Sequence, residues 1–243
     1  MKALIDADSM IYKAGFGVEE AIDWGDGETT YHGEIEDMKD AIDGMLDSIT
    51  FATGCDDYEL HLTGSGNFRD QVVSDYKHNR KGMRVPEWVA ELKQHMMEEL
   101  GAILHKGWEA DDAVVYLKTK YPEDYILCAI DKDVLMQSVG THYNYGKQKD
   151  VTVDEWTALH FKYYQCIAGD PVDGYKGVPG MGPKRAEKAL KDCTNERELW
   201  AATLLAYRSK GLRRSNAINT MRLACMHQYD GEGVVLWTPP HRG

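Results

Sequence analysis

The sequence predicts an α/β fold built on a parallel sheet. Two buried apolar runs, Lys2–Ala7 and Tyr125–Ile130, stop at carboxylates, Asp6 and Asp131. Helical stretches alternate with such runs along the first 150 residues, as in parallel sheets with helical crossovers. After Val153 the strand signal fades and helices dominate.

In order, Lys2–Ala7 reads as a buried strand and Asp8–Phe16 as a helix. Trp24-Gly25-Asp26-Gly27-Glu28 carries a tight-turn signal for a hairpin. Ile35, Met38, Ile42, Met45, Leu46 and Ile49 recur at helical spacing. Tyr58–Thr63 alternates as a second strand. Residues 64–85 have no clean period and read as a loop or a segment ordered on binding. Pro86 is placed to open a helix running to about Leu100. A strand at Ile103–His105, a helix at Ala110–Lys120 and the strand Tyr125–Ile130 follow. A boundary falls near residue 150, and no internal repeat is present.

The 243 residues, 43% hydrophobic and 28% charged, correspond to one or two globular domains and exclude collagen-like, mucin-like and wholly disordered chains. No run approaches ~18 apolar residues, so no transmembrane helix is expected. MKALIDADSM does not have the form of a signal peptide. Cys55, Cys128, Cys166, Cys193 and Cys225 are an odd number without a CxxC, which fits a reducing cytoplasm better than a disulfide framework.

The net charge of −12 is unevenly distributed. Residues 1–60 hold 16 acids and 3 bases, and the remainder is close to neutral. Three windows are basic: Arg69–Arg84, Lys176–Lys191, and Arg208–Arg222, which has five bases and no acid. Such windows are often solvated helix faces, but local fields also steer a phosphate backbone when the total charge is negative.

Four carboxylate clusters stand out: Asp6/Asp8, Glu109/Asp111/Asp112, Asp131/Asp133 and Asp170/Asp173. Singly, the structural reading is the commoner one, Asp131 and Asp170 as helix caps and Asp111/Asp112 as partners of a helix dipole. Asp6 and Asp131 follow strands, however, and a parallel sheet gathers ligands at the carboxyl ends of its strands. Together these carboxylates would repel one another unless a cation neutralised them. Oxygen ligands favour Mg²⁺ or Mn²⁺, and two such ions about 4 Å apart clamp a phosphodiester. No HExxH or Cys/His cluster supports zinc.

The most specific local signal is Gly177-Val178-Pro179-Gly180-Met181-Gly182-Pro183-Lys184-Arg185-Ala186, a helix-hairpin-helix pattern. Gly180 and Gly182 let backbone N–H groups approach a phosphate, while Lys184, Arg185 and Lys188 add charge. Such a contact reads backbone, not bases.

The segments LIDADSMIY (4–12), FRDQVVSDYKHNR (68–80), GWEADDAVVYL (107–117), AIDKDVL (129–135) and AGDPVDGYKGVPGMGPKRAEKAL (168–190) resemble, in order, the flap endonuclease-like 5′–3′ exonucleases of bacteria and bacteriophages. The resemblance covers about three-quarters of the chain. It implies a PIN-like parallel twisted sheet flanked by helices in residues 1–150, with an arch at about 68–100. A C-terminal helical region in 151–243 would contain a helix-three-turn-helix module at about 165–191. It also implies hydrolysis of DNA from 5′ ends and at 5′ flaps, dependent on two Mg²⁺ or Mn²⁺ ions. Asp6, Glu109, Asp111, Asp112, Asp131, Asp133, Asp170 and Asp173 match the family's metal carboxylates, with Asp131 also counted as catalytic. Tyr76, Lys77 and Arg80 match its Tyr-Lys-x-x-Arg at the base of the arch, with Lys77 and Arg80 acting on the transition state. Arg69, Tyr76, Lys77, Arg80, Gly180, Gly182, Lys184 and Arg185 are the expected DNA contacts. Backbone at Val178 and Met181 would hold a K⁺. A role in phage or bacterial DNA replication, in a host cytoplasm if phage-encoded, leaves replication proteins open as partners.

One departure matters. The family usually has an Asp at the end of the second core strand, where this chain has Leu60-His61-Leu62-Thr63-Gly64-Ser65. Asp8 or water is the expected substitute. That gap leaves a non-catalytic relative that recognises 5′ junctions as an alternative. A PIN-type ribonuclease is another, and the DNA-type hairpin argues against it.

Overall fold

The computed structural model describes residues 1–240 apart from 26, 75, 227 and 231. The chain runs β1 (Lys2–Asp6), α1 (Asp8–Val18), β2 (Glu20–Asp23), β3 (Thr29–His32), α2 (Ile35–Thr53) and β4 (Asp57–Thr63). It continues through α3 (Arg69–Val72), a 3₁₀ turn at His78–Arg80, α4 (Val89–Glu98), β5 (Ile103–His105), α5 (Ala110–Lys120), β6 (Tyr125–Cys128) and α6 (Lys132–Met136). Then come β7 (Gly140–Asn144), β8 (Lys149–Val153), α7 (Glu155–Ala168), β9 (Gly169–Asp170), β10 (Tyr175–Lys176), α8 (Pro183–Leu190), α9 (Glu196–Arg208), α10 (Arg214–Ala224), β11 (Gln228–Tyr229) and β12 (Val234–Val235).

The main sheet has the order β5-β4-β1-β6-β7-β8, parallel except for β8, which pairs antiparallel with β7. The α/β fold read from the sequence is therefore the fold observed. Alternation along the strands sorts the core. Ala3, Ile5, Leu60 and Leu62 bury against α1, α2 and α4, while Leu4 and Leu127 face Val114, Val115 and Leu135. A third core joins Ile167, Val178, Ala186, Leu199, Trp200, Tyr207 and Met221 from α7 through α10. Among the described residues, no helix is long and apolar enough to cross a membrane.

Several elements differ from the sequence reading. The β7–β8 pair was not anticipated, because Thr141, His142 and Asn144 give it a weak apolar signal. Residues 64–85 contain α3 and the 3₁₀ turn. The β2–β3 hairpin forms around the expected turn, of which Asp26 lies outside the described residues. Helix α4 begins at Val89, not at Pro86, because residues 84–88 are laid against α1 and the hairpin. There the Trp88 indole donates to the Gly33 carbonyl (2.8 Å) and the Glu87 N–H to Glu19 Oε1 (2.6 Å). Arg84 pairs with Glu19, its guanidinium 4.5 Å from the Phe16 ring and 3.8 Å from the Tyr31 ring.

This seat needs a glycine in α1: a Cβ on Gly15 would lie 2.3 Å from the Pro86 Cβ. Gly15→Ala should cost about 1–3 kcal/mol, the range for overpacking a filled contact. Urea unfolding measures it, and unchanged stability would show that Pro86 moves aside freely.

Candidate active site

The carboxyl edge of the sheet collects the carboxylates. Asp6 ends β1 and is buried. Asp131 follows β6 and caps α6, accepting from the Asp133 N–H (2.7 Å). Glu109 caps α5, whose first turn carries Asp111 and Asp112. The β9–β10 turn presents Asp170 and Asp173, with Asp170 Oδ1 accepting from the N–H groups of Val172 (2.6 Å) and Asp173 (3.2 Å).

These groups disturb one another's charge. Burial, then the charges of Asp8 and Asp131, push Asp6 up to about 7. Burial, then Asp6 and Glu109, hold Asp111 well above the usual carboxylate range. Asp131 is raised by burial against the Asp133 N–H bond, with Asp173 and Asp170 adding to the rise. Burial, then Asp131 and Asp170, push Asp133 up to about 8. Two electrostatic groups result, Asp6/Asp111/Asp131 and Asp131/Asp133/Asp170/Asp173, sharing Asp131. Among the described residues, no three His, Cys, Asp or Glu side chains close into a ready metal-binding set. Asp6 Oδ1 is nevertheless buried without a hydrogen-bond partner. A hard cation satisfies both that oxygen and the accumulated charge, so the donor set fits Mg²⁺ or Mn²⁺.

Cations of the segment between β4 and α4 reach this edge. Lys77 Nζ lies 2.5 Å from Glu109 Oε1 and 3.7 Å from Asp173 Oδ1. Burial opposes its charge, but Glu109, Asp173 and Asp111 raise its pKa, so it is protonated. Arg80 Nη2 donates to Asp173 Oδ1 (2.7 Å). The Tyr76 hydroxyl is 3.1 Å from both Glu109 Oε2 and Asp173 Oδ2, and its ring is buried with Tyr175, Leu223 and Ala224.

Two of the expected DNA contacts need correction. Tyr76 is 7% exposed, so its ring is not placed to meet a base. Arg69 is 1% exposed. Its guanidinium grips Asp112 through two bonds (2.6 and 2.8 Å) and donates to Glu109 (3.0 Å) and to the carbonyls of Leu223 and Cys225 (both 3.1 Å). Burial opposes the arginine's charge, and Asp112 leads the groups that hold its pKa well above normal. Asp112, fully buried and also bonded to the Glu109 N–H (3.2 Å), is thereby committed to Arg69 instead of to a metal.

At the end of β4, where the family's acid is missing, stands Thr63. Its N–H donates to Asp8 Oδ2 (2.9 Å), its hydroxyl accepts from the Ala110 N–H (2.9 Å), and its carbonyl accepts from Lys93 Nζ (2.9 Å). Lys93 also pairs with Asp8 Oδ1 (3.0 Å). Asp8, the expected substitute, is thus held by a main-chain N–H and a lysine. Beside it His61 Nδ1 and His105 Nε2 are 2.7 Å apart. Burial, then His105, pushes His61 down to about 3, and burial also lowers His105.

The glycine-rich segment forms a tight hairpin against the third core. The Val178 N–H donates to the Ile167 carbonyl (2.8 Å) and the Met181 N–H to the Val178 carbonyl (2.9 Å). Gly180 adopts φ +74°, which suits glycine, and its carbonyl accepts from Arg185 Nη1 (2.6 Å). Gly182 caps α8 ahead of Pro183, and a Cβ there would meet no atom within 4 Å. Lys184 and Arg185 are exposed.

Known proteins share this sequence and architecture. A flap endonuclease Xni of Shewanella halifaxensis is 32% identical over 143 residues, 51% of this chain and 55% of that protein. A 5′–3′ exonuclease of Mycoplasma pneumoniae is 25% identical over 209 residues, 77% of this chain and 70% of that protein. The first of these matches spans about half the length of its relative. The T5 D15 protein crystallised with metal ions superposes with a TM-score of 0.64 over 92% of this chain and 88% of that one, at 14% identity. The bacteriophage T5 D15 flap endonuclease is also known in complex with DNA and metal ions. No family model matches the chain. The fold and the acidic sheet edge define the class, an α/β protein with the fold of the T5 D15 protein. Within that class, the chain is similar in sequence to flap endonucleases and 5′–3′ exonucleases.

Sequence reasoning missed the supporting side chains. Gln165 donates to Asp133 Oδ2, and Ser9 Oγ to Asp6 Oδ2 (3.2 Å). The Tyr145 hydroxyl donates to the Asp6 carbonyl (2.9 Å). Ser9, three residues after Asp6 at the start of a helix, was the one local signal available.

The new assignment of Arg69 is testable. Arg69→Ala would leave Asp112 buried without its counter-ion, and Glu109 with Lys77 alone, a loss of about 3–5 kcal/mol. Arg69→Lys should recover only part, since an ammonium cannot grip both oxygens of Asp112 in parallel. Urea unfolding reads both variants, and wild-type stability in Arg69→Ala would return Arg69 to the surface role.

Proposed function

We propose that the chain is a divalent-metal-dependent 5′–3′ exodeoxyribonuclease and 5′-flap endonuclease. The observation that carries this reading is the pair of carboxylate groups sharing Asp131 at the sheet edge, faced by protonated Lys77 and by Arg80. The relatives' names and the T5 D15 complex with DNA and metal ions support it. We place the nuclease core in residues 1–150 and the DNA-binding region in 151–243, with a role in phage or bacterial replication.

Asp6, Asp111 and Asp131 would hold one Mg²⁺ or Mn²⁺ ion, and Asp131, Asp133, Asp170 and Asp173 a second. Glu109 joins them through the charge it shares with Lys77. Bound there, such ions supply Lewis-acid stabilisation of the phosphate and a hydroxide at neutral pH. The chain's own groups do the rest. Asp8, Lys93 and Thr63 fix the end of β4 beside Asp6. Lys77 and Arg80 put positive charge where a phosphate entering the edge develops negative charge, and both exchange Asp173 for that phosphate. The hairpin offers the backbone of Gly182 and the charges of Lys184 and Arg185 to duplex phosphates, with a K⁺ held by backbone at Val178 and Met181.

Nuclease activity on a 5′-flap substrate should vanish in excess EDTA and return with Mg²⁺ or Mn²⁺. Asp131→Asn, which removes a carboxylate common to both groups, should lower turnover about 10³-fold or more. It should also reduce the rise in melting temperature that divalent ions give the wild type. Asp170→Asn should show a milder loss that depends on metal concentration. Cleavage in EDTA, or a wild-type rate for Asp131→Asn, would overturn the metal site. A protein that binds flaps and cleaves none is the non-catalytic relative.

Lys77→Ala should slow single-turnover cleavage about 10²-fold, the scale of one preorganised electrostatic contact. Its dissociation constant for the flap, titrated in Ca²⁺, should change little. A loss of affinity in proportion to the loss of rate would make Lys77 a phosphate anchor only.

A further inference from the structure

The third basic window, Arg208–Arg222, is unused by the site described above. The structure folds it into the end of α9, a turn, and α10. Arg197, Trp200, Leu204 and Arg208 recur along one face of α9 and, with Arg214 and Pro240, line a groove of about 330 Å³. The three arginines are exposed, and among the described residues none of them forms an ion pair. The acids nearest in sequence are engaged elsewhere. Glu196 accepts from the Tyr163 hydroxyl (3.0 Å), and Glu198 from the N–H and hydroxyl of Thr194 (2.7 and 3.0 Å). Arg197, Arg208 and Arg214, with Lys210 and Arg213 close in sequence, outnumber the nearby Glu196 and Glu198 and make a local positive field in a chain of net charge −12.

We infer that this groove is a second anchoring site for the phosphate backbone of duplex DNA, an inference that rests on the nuclease reading above. Guanidinium groups match phosphate oxygens through paired N–H donors. From Arg197 to Arg208 the helix rises about 16 Å, with charge at both ends. A free phosphate occupies one such end, whereas a DNA strand presents a charge about every 3.4 Å of helix axis and engages both. Between the charges lie Trp200, Leu204 and Pro240, which offer little to read base edges, so the contact positions the duplex without selecting sequence. Trp200 belongs to the same buried core as Val178 and Ala186 of the hairpin segment. Groove and hairpin are therefore two points on one packed body, and a duplex long enough to touch both gains affinity over one that reaches the hairpin alone.

The experiment compares fluorescence anisotropy of 5′-flap substrates carrying a short or a long duplex arm, titrated in Ca²⁺ at several salt concentrations. Wild type should bind the long arm about 10-fold more tightly, with a salt slope steeper by about one to two units. In Arg197→Ala/Arg208→Ala/Arg214→Ala the ratio of long-arm to short-arm affinity should fall close to one, and the extra slope should disappear. The triple lysine variant keeps the charge and should retain the extra slope, which also shows that these positions tolerate substitution. A triple alanine variant with the wild-type ratio overturns the inference, as does loss of the extra slope in the lysine variant. A wild type that binds both arms equally overturns it too, while leaving the nuclease reading intact. Wild type that binds neither substrate overturns the nuclease reading itself, and the groove's role with it.

Discussion

The geometry of the acidic edge depends on Arg69. All five of its N–H donors are used, on Glu109, Asp112 and the carbonyls of Leu223 and Cys225. A buried cation of this kind costs desolvation, which Asp112 and Glu109 offset at close range. Asp112 is thereby neutralised from within and Glu109 is shared between Arg69 and Lys77, leaving Asp111 to face Asp6 and Asp131. The same guanidinium ties the start of α5 to the end of α10. The sheet edge is therefore tied to the helical region through this guanidinium, alongside the Gln165–Asp133 and Gln137–Ala224 bonds.

This division of the carboxylates was only partly legible in the sequence. Asp6 and Asp131 follow apolar strands, so their meeting at one edge follows from the parallel sheet. The helix Ala110–Lys120 and its acidic start were readable for the same local reasons. Which acid would be neutralised by protein was not readable. That choice is made by Arg69, 40 residues from Glu109 in sequence, and a lone arginine in a basic window looks the same whether it faces solvent or a buried carboxylate. The burial of Tyr76 is illegible for a related reason: its segment is polar, and its burial is supplied by Tyr175 and Leu223 from distant elements. The β7–β8 pair escaped because an edge hairpin with His142 and Asn144 in its strands carries little apolar alternation.

The substituted end of β4 shows how a missing acid changes a neighbourhood. An aspartate at Thr63 would add a further negative charge beside Asp8 and Asp6. The threonine instead turns three neutral groups toward Asp8, Lys93 and the start of α5, so its surroundings are hydrogen-bonded without added charge. Buried His61 and half-buried His105, both with lowered pKa, stack in the adjoining space. In this chain, less acid on the β4 side leaves the weight of negative charge with Asp131 and the β9–β10 turn.

That shift gives the segment between β4 and α4 a mechanical role. Its upstream foot rests on the acidic turn: the Lys77 N–H donates to the Asp173 carbonyl (3.1 Å), and the Asn79 side chain to the carbonyls of Pro171 (2.9 Å) and Val172 (3.1 Å). Its downstream foot is the Arg84–Pro86 seat on α1, the helix that starts two residues after Asp6. A displacement of the β9–β10 turn therefore reaches Lys77 directly, and a displacement of α1 reaches it through the chain. Because the hairpin segment follows β10 by a few residues and shares its core with α7, its position is tied to the turn that holds Lys77 and Arg80. The hairpin and the placement of charge at the acidic edge are thus linked by covalent continuity and a handful of hydrogen bonds.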